Sequence, residues 1–198
     1  MAVTRPTIAG AEAYTCSLEH VVAELERLDL LIRVQVWRAR QRADSEDETR
    51  ALFIADDEPE QLLDRIVGTP AWASIPLPSE LLDTAQDRLD RLSEDIDLRT
   101  AASRESGVPL RLEALAAAFD LCRFDLDVIV SCLAPELDRR YGRLYGYLHD
   151  DMTRQQPTPE LILDLLCADL HGKVAARRRF GAAAPLGAHQ LVQLSEEL

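Results

Sequence analysis

The most suggestive group of reactive side chains in this sequence is His149, Asp150 and Asp151. An imidazole beside two carboxylates could bind a divalent metal ion or act as an acid–base pair. Adjacent residues on a helix, however, point about 100° apart, so these three converge on one ion only if the chain forms a loop there. The other interpretation is a turn at a helix end, in which Asp150 or Asp151 caps the chain and pairs with an arginine such as Arg154. We favour the turn and expect no metal site in this chain.

Nucleotide-binding and hydrolase motifs are also missing from the sequence. A phosphate-binding loop needs a glycine-rich segment followed by Lys and then Ser or Thr at fixed positions. The pair Gly172-Lys173 has neither a glycine five residues before Gly172 nor a hydroxyl after Lys173. Neither G-x-S-x-G nor H-E-x-x-H occurs, and the cysteines form no C-x-x-C pair. The sequence therefore predicts a chain that is not itself an enzyme, holds no cofactor and keeps its cysteines reduced.

The balance of charge points away from nucleic acid. The chain has 35 acidic residues against 22 lysines and arginines, a formal net charge of −13, whereas affinity for nucleic acid depends largely on cations that replace phosphate counterions. One local basic patch stands out, and it consists of Lys173, Arg177, Arg178 and Arg179. At the end of a predicted helix such cations complement the helix dipole and cap the last carbonyls, which is the interpretation we favour. Binding of an acidic partner or a nucleotide phosphate by this patch is the other.

Hydropathy indicates a soluble protein. No apolar run approaches the roughly 20 residues that span a bilayer, and the first residues lack the charged-then-apolar order of a signal peptide. We expect a cytoplasmic protein with no membrane contact.

The apolar pattern places one helix at the centre of the second half of the chain. Between Phe124 and Leu133 apolar residues occupy nearly every face, which a helix tolerates only when other elements surround it. The helices that follow are one-sided, with apolar stripes at spacings of three and four: Leu137, Tyr141, Leu144 and Leu148, then Leu161, Ile162, Leu165, Leu166 and Leu170. The predicted fold class is all-α, mainly a helical bundle.

Prolines divide this region into short helices. Pro109, Pro135 and Pro159 each stand where we expect a first helical turn, a position that tolerates the missing N–H. Thr158 is the expected N-cap of the helix that begins at Pro159. Near the C-terminus the apolar run Leu191, Val192 and Leu194 could form a short strand.

Two long helices are predicted in the first half. One runs from Ser17 to about Arg42 and the other begins at Ser79, and we expect them to pair antiparallel. Between them lie an acidic segment, a short helix over 59–67 and a connector at 68–78 that holds three prolines and Trp72. The predicted organisation is therefore a disordered lead at 1–13, a helical hairpin subdomain at 14–67, the linker at 68–78 and a helical subdomain at 79–198.

Several unusual steps in fixed order give the second half a family resemblance. They are Ala-Pro-Glu-Leu-Asp at 134–138, the helix with Tyr141 and Tyr145, Tyr-Leu-His-Asp-Asp at 147–151, and Pro-Thr at 157–158. In this order they resemble the N-terminal, winged-helix-type region of AAA+ ATPases encoded with phage-tail-like contractile injection systems. The resemblance implies that 79–198 is a winged-helix-like subdomain with a short β-wing near the C-terminus. It implies in addition a non-catalytic domain, a motor with ATP and Mg²⁺ located C-terminal to Leu198, and a hexameric parent protein. It also implies injection-particle components or effectors as protein partners.

Two classes of function remain open on the sequence: a protein-interaction module that positions such a motor, and a winged-helix nucleic-acid-binding or regulatory domain. Charge favours the first. We expect its surface to consist of Arg139, Arg140 and Arg143 with Tyr145 or Tyr147, because arginine and tyrosine are favoured interface anchors. Gly142 and Gly146, four residues apart on the same helix, would let another backbone approach closely, although their spacing could also be incidental.

Overall fold

The computed structural model describes residues 11–50, 67 and 78–195, with the backbone path alone for 41–50. Helices make up the regular structure of these ranges: α1 (Ser17–Arg50), α2 (Ser79–Glu105), α3 (Arg111–Phe119), α4 (Arg123–Leu137), α5 (Arg140–Leu148), α6 (Pro159–Leu166), α7 (Leu170–Arg177), a 3-10 turn (Arg178–Phe180) and α8 (Pro185–Ala188). No strand occurs in the described ranges, which confirms the all-α class. The expected helix 59–67 and the connector with Trp72 lie outside the described residues, apart from Val67 and Pro78.

Helices α1 and α2 run antiparallel, as predicted. The amide of Tyr14, just before α1, donates a hydrogen bond of 2.9 Å to the Ser103 hydroxyl near the end of α2, and His20 lies 3.5 Å from Thr100. Helix α1 also packs against α3, α4, α5 and α6, so its contacts extend beyond α2 to further helices of the predicted second subdomain. The division of the chain at 68–78 therefore stays a prediction.

Helix α4 is the central helix that its apolar pattern predicts. It supplies Leu126, Val130 and Ala134 to a core shared with α1, α3, α5 and α6. From another face it supplies Val128 to a second core, completed by α6, Phe180 and Leu186. Two cores on two faces explain why apolar residues lie on more than one face of this helix.

The role predicted for Pro135 is wrong, because this proline lies inside the last turn of α4 and starts no helix. A proline has no N–H, so the carbonyl four residues earlier, that of Ser131, loses its helical donor. The hydroxyl of Tyr145 on α5 donates to that carbonyl at 2.9 Å. The other two prolines behave differently: Pro109 precedes α3, and Pro159 opens α6 behind the Thr158 cap, whose hydroxyl accepts from Leu161 N at 3.2 Å.

The apolar run near the C-terminus does not form the expected wing strand within residues 191–195. The amides of Leu191 and Val192 both donate to the Leu186 carbonyl, at 2.9 and 3.3 Å. These bonds close a turn after α8, which uses the donors that a sheet ladder would need.

Candidate interaction surface on helix α5

Helix α5 has one face in the core and one face in solvent. Tyr141, Tyr145 and Leu148 are buried, whereas Arg139, Arg143 and Tyr147 follow one another at intervals of four on the outside. Residues four apart on a helix lie above one another on the same face. The outer three therefore form one stripe, which we call the Arg–Tyr stripe, and Tyr147 at its end is 40% exposed.

Tyr145 cannot belong to a docking surface, which corrects the prediction that offered it as an anchor. Its side chain is fully buried and its hydroxyl is engaged by the Ser131 carbonyl. Burial also raises the pKa of Tyr145, so the hydroxyl stays a hydrogen-bond donor. The signal for its burial is present in the sequence, as Pro135 leaves a carbonyl in need of a donor.

Arg140 is turned towards its own protein. Its guanidinium lies 2.8 Å from Asp29 on α1 and 3.2 Å from Asp138, and it is 3.1 Å from the Tyr141 hydroxyl. The hydrogen bond with Tyr141 and the neighbouring carboxylates raise the pKa of Arg140. Of the three predicted arginines, Arg139 and Arg143 thus remain without an ion pair in the part of the chain that the structure describes.

Gly142 and Gly146 do permit a close backbone approach, but the approaching segment is the chain's own loop. A Cβ at Gly146 would lie 3.1 Å from Cα of Met152 and 3.2 Å from the Asp151 carbonyl oxygen. A Cβ at Gly142 would lie 3.2 Å from Cβ of Gln155. The loop after α5 therefore covers the glycine side of the helix and holds it in place, while the Arg–Tyr stripe stays open.

The group His149, Asp150 and Asp151 forms a turn at the helix end. Asp151 accepts hydrogen bonds from the amide and hydroxyl of Thr153 at 2.9 and 2.6 Å, and it lies 3.5 Å from Arg154. Asp150 has a positive φ of 54°, and His149 Nε2 lies 3.3 Å from the Gln156 carbonyl oxygen. The turn that we favoured over a metal site is thus the observed arrangement.

The predicted basic patch does not act as one group. Lys173 pairs with Asp164 on α6, and Arg179 holds both carboxylate oxygens of the buried Asp125. Arg178 donates to the Ala175 carbonyl at 3.3 Å, as expected of a cation near a helix end, and the Arg177 guanidinium lies 5.8 Å from the Phe180 ring centre. Lys173 and Arg179 therefore tie α7 and the 3-10 turn to the core, and only Arg177 and Arg178 are exposed.

Sequence reasoning missed a buried ionic network between α1 and α4. Glu24 is only 3% exposed. Its Oε1 accepts a hydrogen bond of 2.7 Å from Arg123, and its Oε2 accepts one of 3.3 Å from Arg27. Both arginines also pair with Asp127 on α4. The signal was the spacing of His20, Glu24 and Arg27, four and three residues apart, beside the apolar stripe of α1.

The pKa values in this network follow from burial and pairing. Burial alone would raise the pKa of Glu24, but the hydrogen bonds with His20 and Arg123 outweigh it and lower the pKa to about 2. Burial raises the pKa of Asp127 in spite of the attraction of Arg27 and Arg123. Glu24 is consequently the charged anchor that holds α1 against α4.

Two pairs of helices in this half have the short connection of a helix-turn-helix motif. Residues 120–122 join α3 to α4, and residues 167–169 join α6 to α7. Helix α4 lies in the core, whereas α7 has no buried residue. Over residues 4–198 the sequence matches the family described as "Winged helix domain, variant". The chain belongs to this family.

In this winged helix domain variant α4, the second helix of the first pair, is enclosed by the fold. Helix α7, the second helix of the other pair, lies on the surface. No curated protein and no solved structure matches the chain. Among the described helices none is long and apolar enough to cross a bilayer, and the described residues contain no cluster of three or more metal-ligating side chains.

Proposed function

We propose that this winged helix domain variant is a non-catalytic protein-interaction module that docks through the Arg–Tyr stripe of α5. The observation that carries the proposal is that Arg139 and Arg143 face solvent without an ion pair in the described part of the chain, beside the exposed ring of Tyr147. Arginine and tyrosine are among the residues that contribute most to binding energy at protein interfaces.

The support beneath the stripe suits a docking surface. Tyr141 and Tyr145 anchor the inner face of α5, and the loop residues Met152 and Gln155 close its glycine side. A helix fixed in this way loses little conformational entropy when a partner binds, so more of the contact energy appears as affinity.

The resemblance at residues 134–158 supports a specific setting for the module. We propose that it is the N-terminal domain of a cytoplasmic AAA+ ATPase linked to a contractile injection system, and that it places a motor on particle or effector proteins. The motor, with its ATP, Mg²⁺ and hexameric assembly, would be supplied by sequence outside these 198 residues.

The test is co-purification of the parent protein with the injection-particle proteins encoded alongside it. We expect Arg139→Glu/Arg143→Glu/Tyr147→Ser to lose the particle proteins. The control Arg88→Glu/Arg91→Glu/Leu81→Ser reverses two exposed arginines and truncates an exposed leucine on α2, and it should retain them. Equal recovery with both triple variants, each shown to be folded by circular dichroism, would remove the stripe from the proposal.

A second candidate function is nucleic-acid binding, favoured by the exposed position of α7 after a three-residue turn. The outward cations of α7 and the 3-10 turn after it are Arg177 and Arg178, because Lys173 and Arg179 are engaged by Asp164 and Asp125. A band shift with duplex DNA at physiological ionic strength, lost in Arg177→Ala/Arg178→Ala, would support this function over the first.

A further inference from the structure

The spacing of the two arginines in the Arg–Tyr stripe indicates the chemistry of the partner that the stripe would bind. Arg139 and Arg143 are one helical turn apart, about 6 Å along the axis. Two guanidinium groups at that separation match two carboxylates that are also one turn apart on a helix. Each guanidinium offers a planar fork of donors, which fits a carboxylate better than a single-point acceptor.

Apolar side chains flank the two arginines. Tyr147 lies one turn beyond Arg143, and Met152 is placed next to Gly146 by the close approach of the loop. At the other end Leu137, the last residue of α4, stands two residues before Arg139. Leu137 and Met152 are each 54% exposed. Exposed apolar side chains therefore stand beside both arginines: Leu137 precedes Arg139 at the end of α4, and Tyr147 and Met152 lie beyond Arg143.

The rest of the protein directs an acidic partner to this place. The chain carries a net charge of −13, and the outer face of α2 presents Glu80, Asp83, Asp87 and Asp90, all exposed. Like charges on other faces repel an acidic segment, and complementary charge at one face sets its register. A phosphate backbone is a poorer fit, because Arg139 and Arg143 offer only two phosphate contacts, and affinity for nucleic acid rises with the number of such contacts.

We propose that the Arg–Tyr stripe, extended by Leu137 and Met152, binds an acidic amphipathic helix of the partner protein. That helix presents two carboxylates one turn apart to Arg139 and Arg143, and a bulky apolar residue on each side of them. The inference rests on the proposed function and adds the chemistry of the partner. A second copy of this chain is the less suitable occupant, since two bodies of charge −13 repel each other.

The test uses the 198-residue chain and three fluorescent synthetic helical peptides, followed by anisotropy. The first peptide has two Glu four residues apart, flanked by Leu and Phe. The second replaces both Glu by Gln, and the third keeps the composition but moves the two Glu to opposite faces. We expect the first peptide to bind about tenfold more tightly than the other two, and to lose several-fold in affinity between 50 and 300 mM salt.

Variants of the protein locate the binding. Arg139→Gln/Arg143→Gln should weaken the first peptide about tenfold, and Tyr147→Ser should weaken all three peptides by a similar factor. The matched control Arg88→Gln/Arg91→Gln should change nothing. Equal affinity for the Glu and Gln peptides, or undiminished binding by the Arg139/Arg143 variant, would overturn the inference.

Other occupants give distinct results. Concentration-dependent self-association of the chain in sedimentation, abolished by Arg139→Gln/Arg143→Gln, would assign the stripe to a second copy and overturn the inference. A DNA band shift abolished by the same change would assign it to nucleic acid, with the same consequence. If the peptides fail but the particle proteins are still lost in the co-purification test, the proposed function stands and the acidic helix does not.

Discussion

Replacing Tyr145 by Phe tests whether a tyrosine on α5 compensates for a proline in α4. The change removes one oxygen from a fully buried ring and with it the donor that lies 2.9 Å from the Ser131 carbonyl oxygen. In the native protein no helical amide can replace that donor, because the residue four positions on is Pro135. The Ser131 carbonyl is then buried without a hydrogen bond.

The expected loss of stability is the cost of leaving the buried Ser131 carbonyl without a hydrogen-bond donor. Loss of a partner to a buried carbonyl costs about 1–3 kcal/mol, more than the net value of an ordinary hydrogen bond. In a Pro135→Ala background the new amide at 135 can donate to Ser131, so Tyr145→Phe should cost less than about 0.5 kcal/mol there. The two substitutions are therefore expected to couple by about 1–2 kcal/mol in a double-mutant cycle.

Urea unfolding followed by circular dichroism at 222 nm on the four proteins measures this coupling. Tyr147→Phe, which removes the same oxygen from the exposed tyrosine on the same helix, is the control and should change the free energy of unfolding by less than about 0.5 kcal/mol. Additive effects of Tyr145→Phe and Pro135→Ala, within about 0.3 kcal/mol, would refute the compensation.

Two further changes test the network and the loop contact. Glu24→Gln should cost about 3 kcal/mol at neutral pH, since a pKa lowered from 4.5 to about 2 stabilises the fold by about 1.4 kcal/mol per unit. That stability is complete above the unfolded pKa and is lost as pH falls from about 4.5 to 2, so the urea midpoints of the variant and the native protein should converge in acid. A difference that stays constant with pH would contradict this. The control is Glu26→Gln, at an exposed position on α1. Gly146→Val should lower stability by about 1–3 kcal/mol in thermal unfolding, because its side chain meets backbone at Met152, and an unchanged Tm would show that the loop yields freely.

Much of the helical plan could be predicted from local patterns. The N-cap at Thr158, the antiparallel pair of long helices and the central position of α4 follow from capping chemistry and apolar spacing. These signals act within a few residues of the chain or along one helix face. Leu18 marks their limit: it continues the spacing of three and four that Val21, Leu25 and Leu28 follow on α1, yet it is 66% exposed.

The errors share a different cause, which is that the deciding partner is distant in sequence. Arg140 turns inward towards Asp29, 111 residues away. The network that joins Glu24 to Arg123 spans 99 residues. A single sequence shows which residues are polar but not which polar residues meet, so the open and engaged arginines of α5 could not be separated in advance.

The positions of α4 and α7 bear directly on the choice between the two candidate functions. A helix-turn-helix protein reads DNA with the second helix of the pair in the major groove, and α4 is enclosed on two faces by apolar cores. Helix α7 is accessible, but ion pairs to Asp164 and Asp125 engage two of the four lysines and arginines in α7 and the following 3-10 turn. With two phosphate contacts, the logarithm of the binding constant falls with the logarithm of salt concentration at a slope of only about −1.8. Affinity for DNA would then fall roughly twelvefold between 50 and 200 mM salt, whereas proteins that make 6–10 such contacts lose about 10³–10⁵-fold. A shallow slope of this kind would mark any DNA binding by α7 as weak and nonspecific, and it leaves the Arg–Tyr stripe as the surface better equipped to recognise a partner.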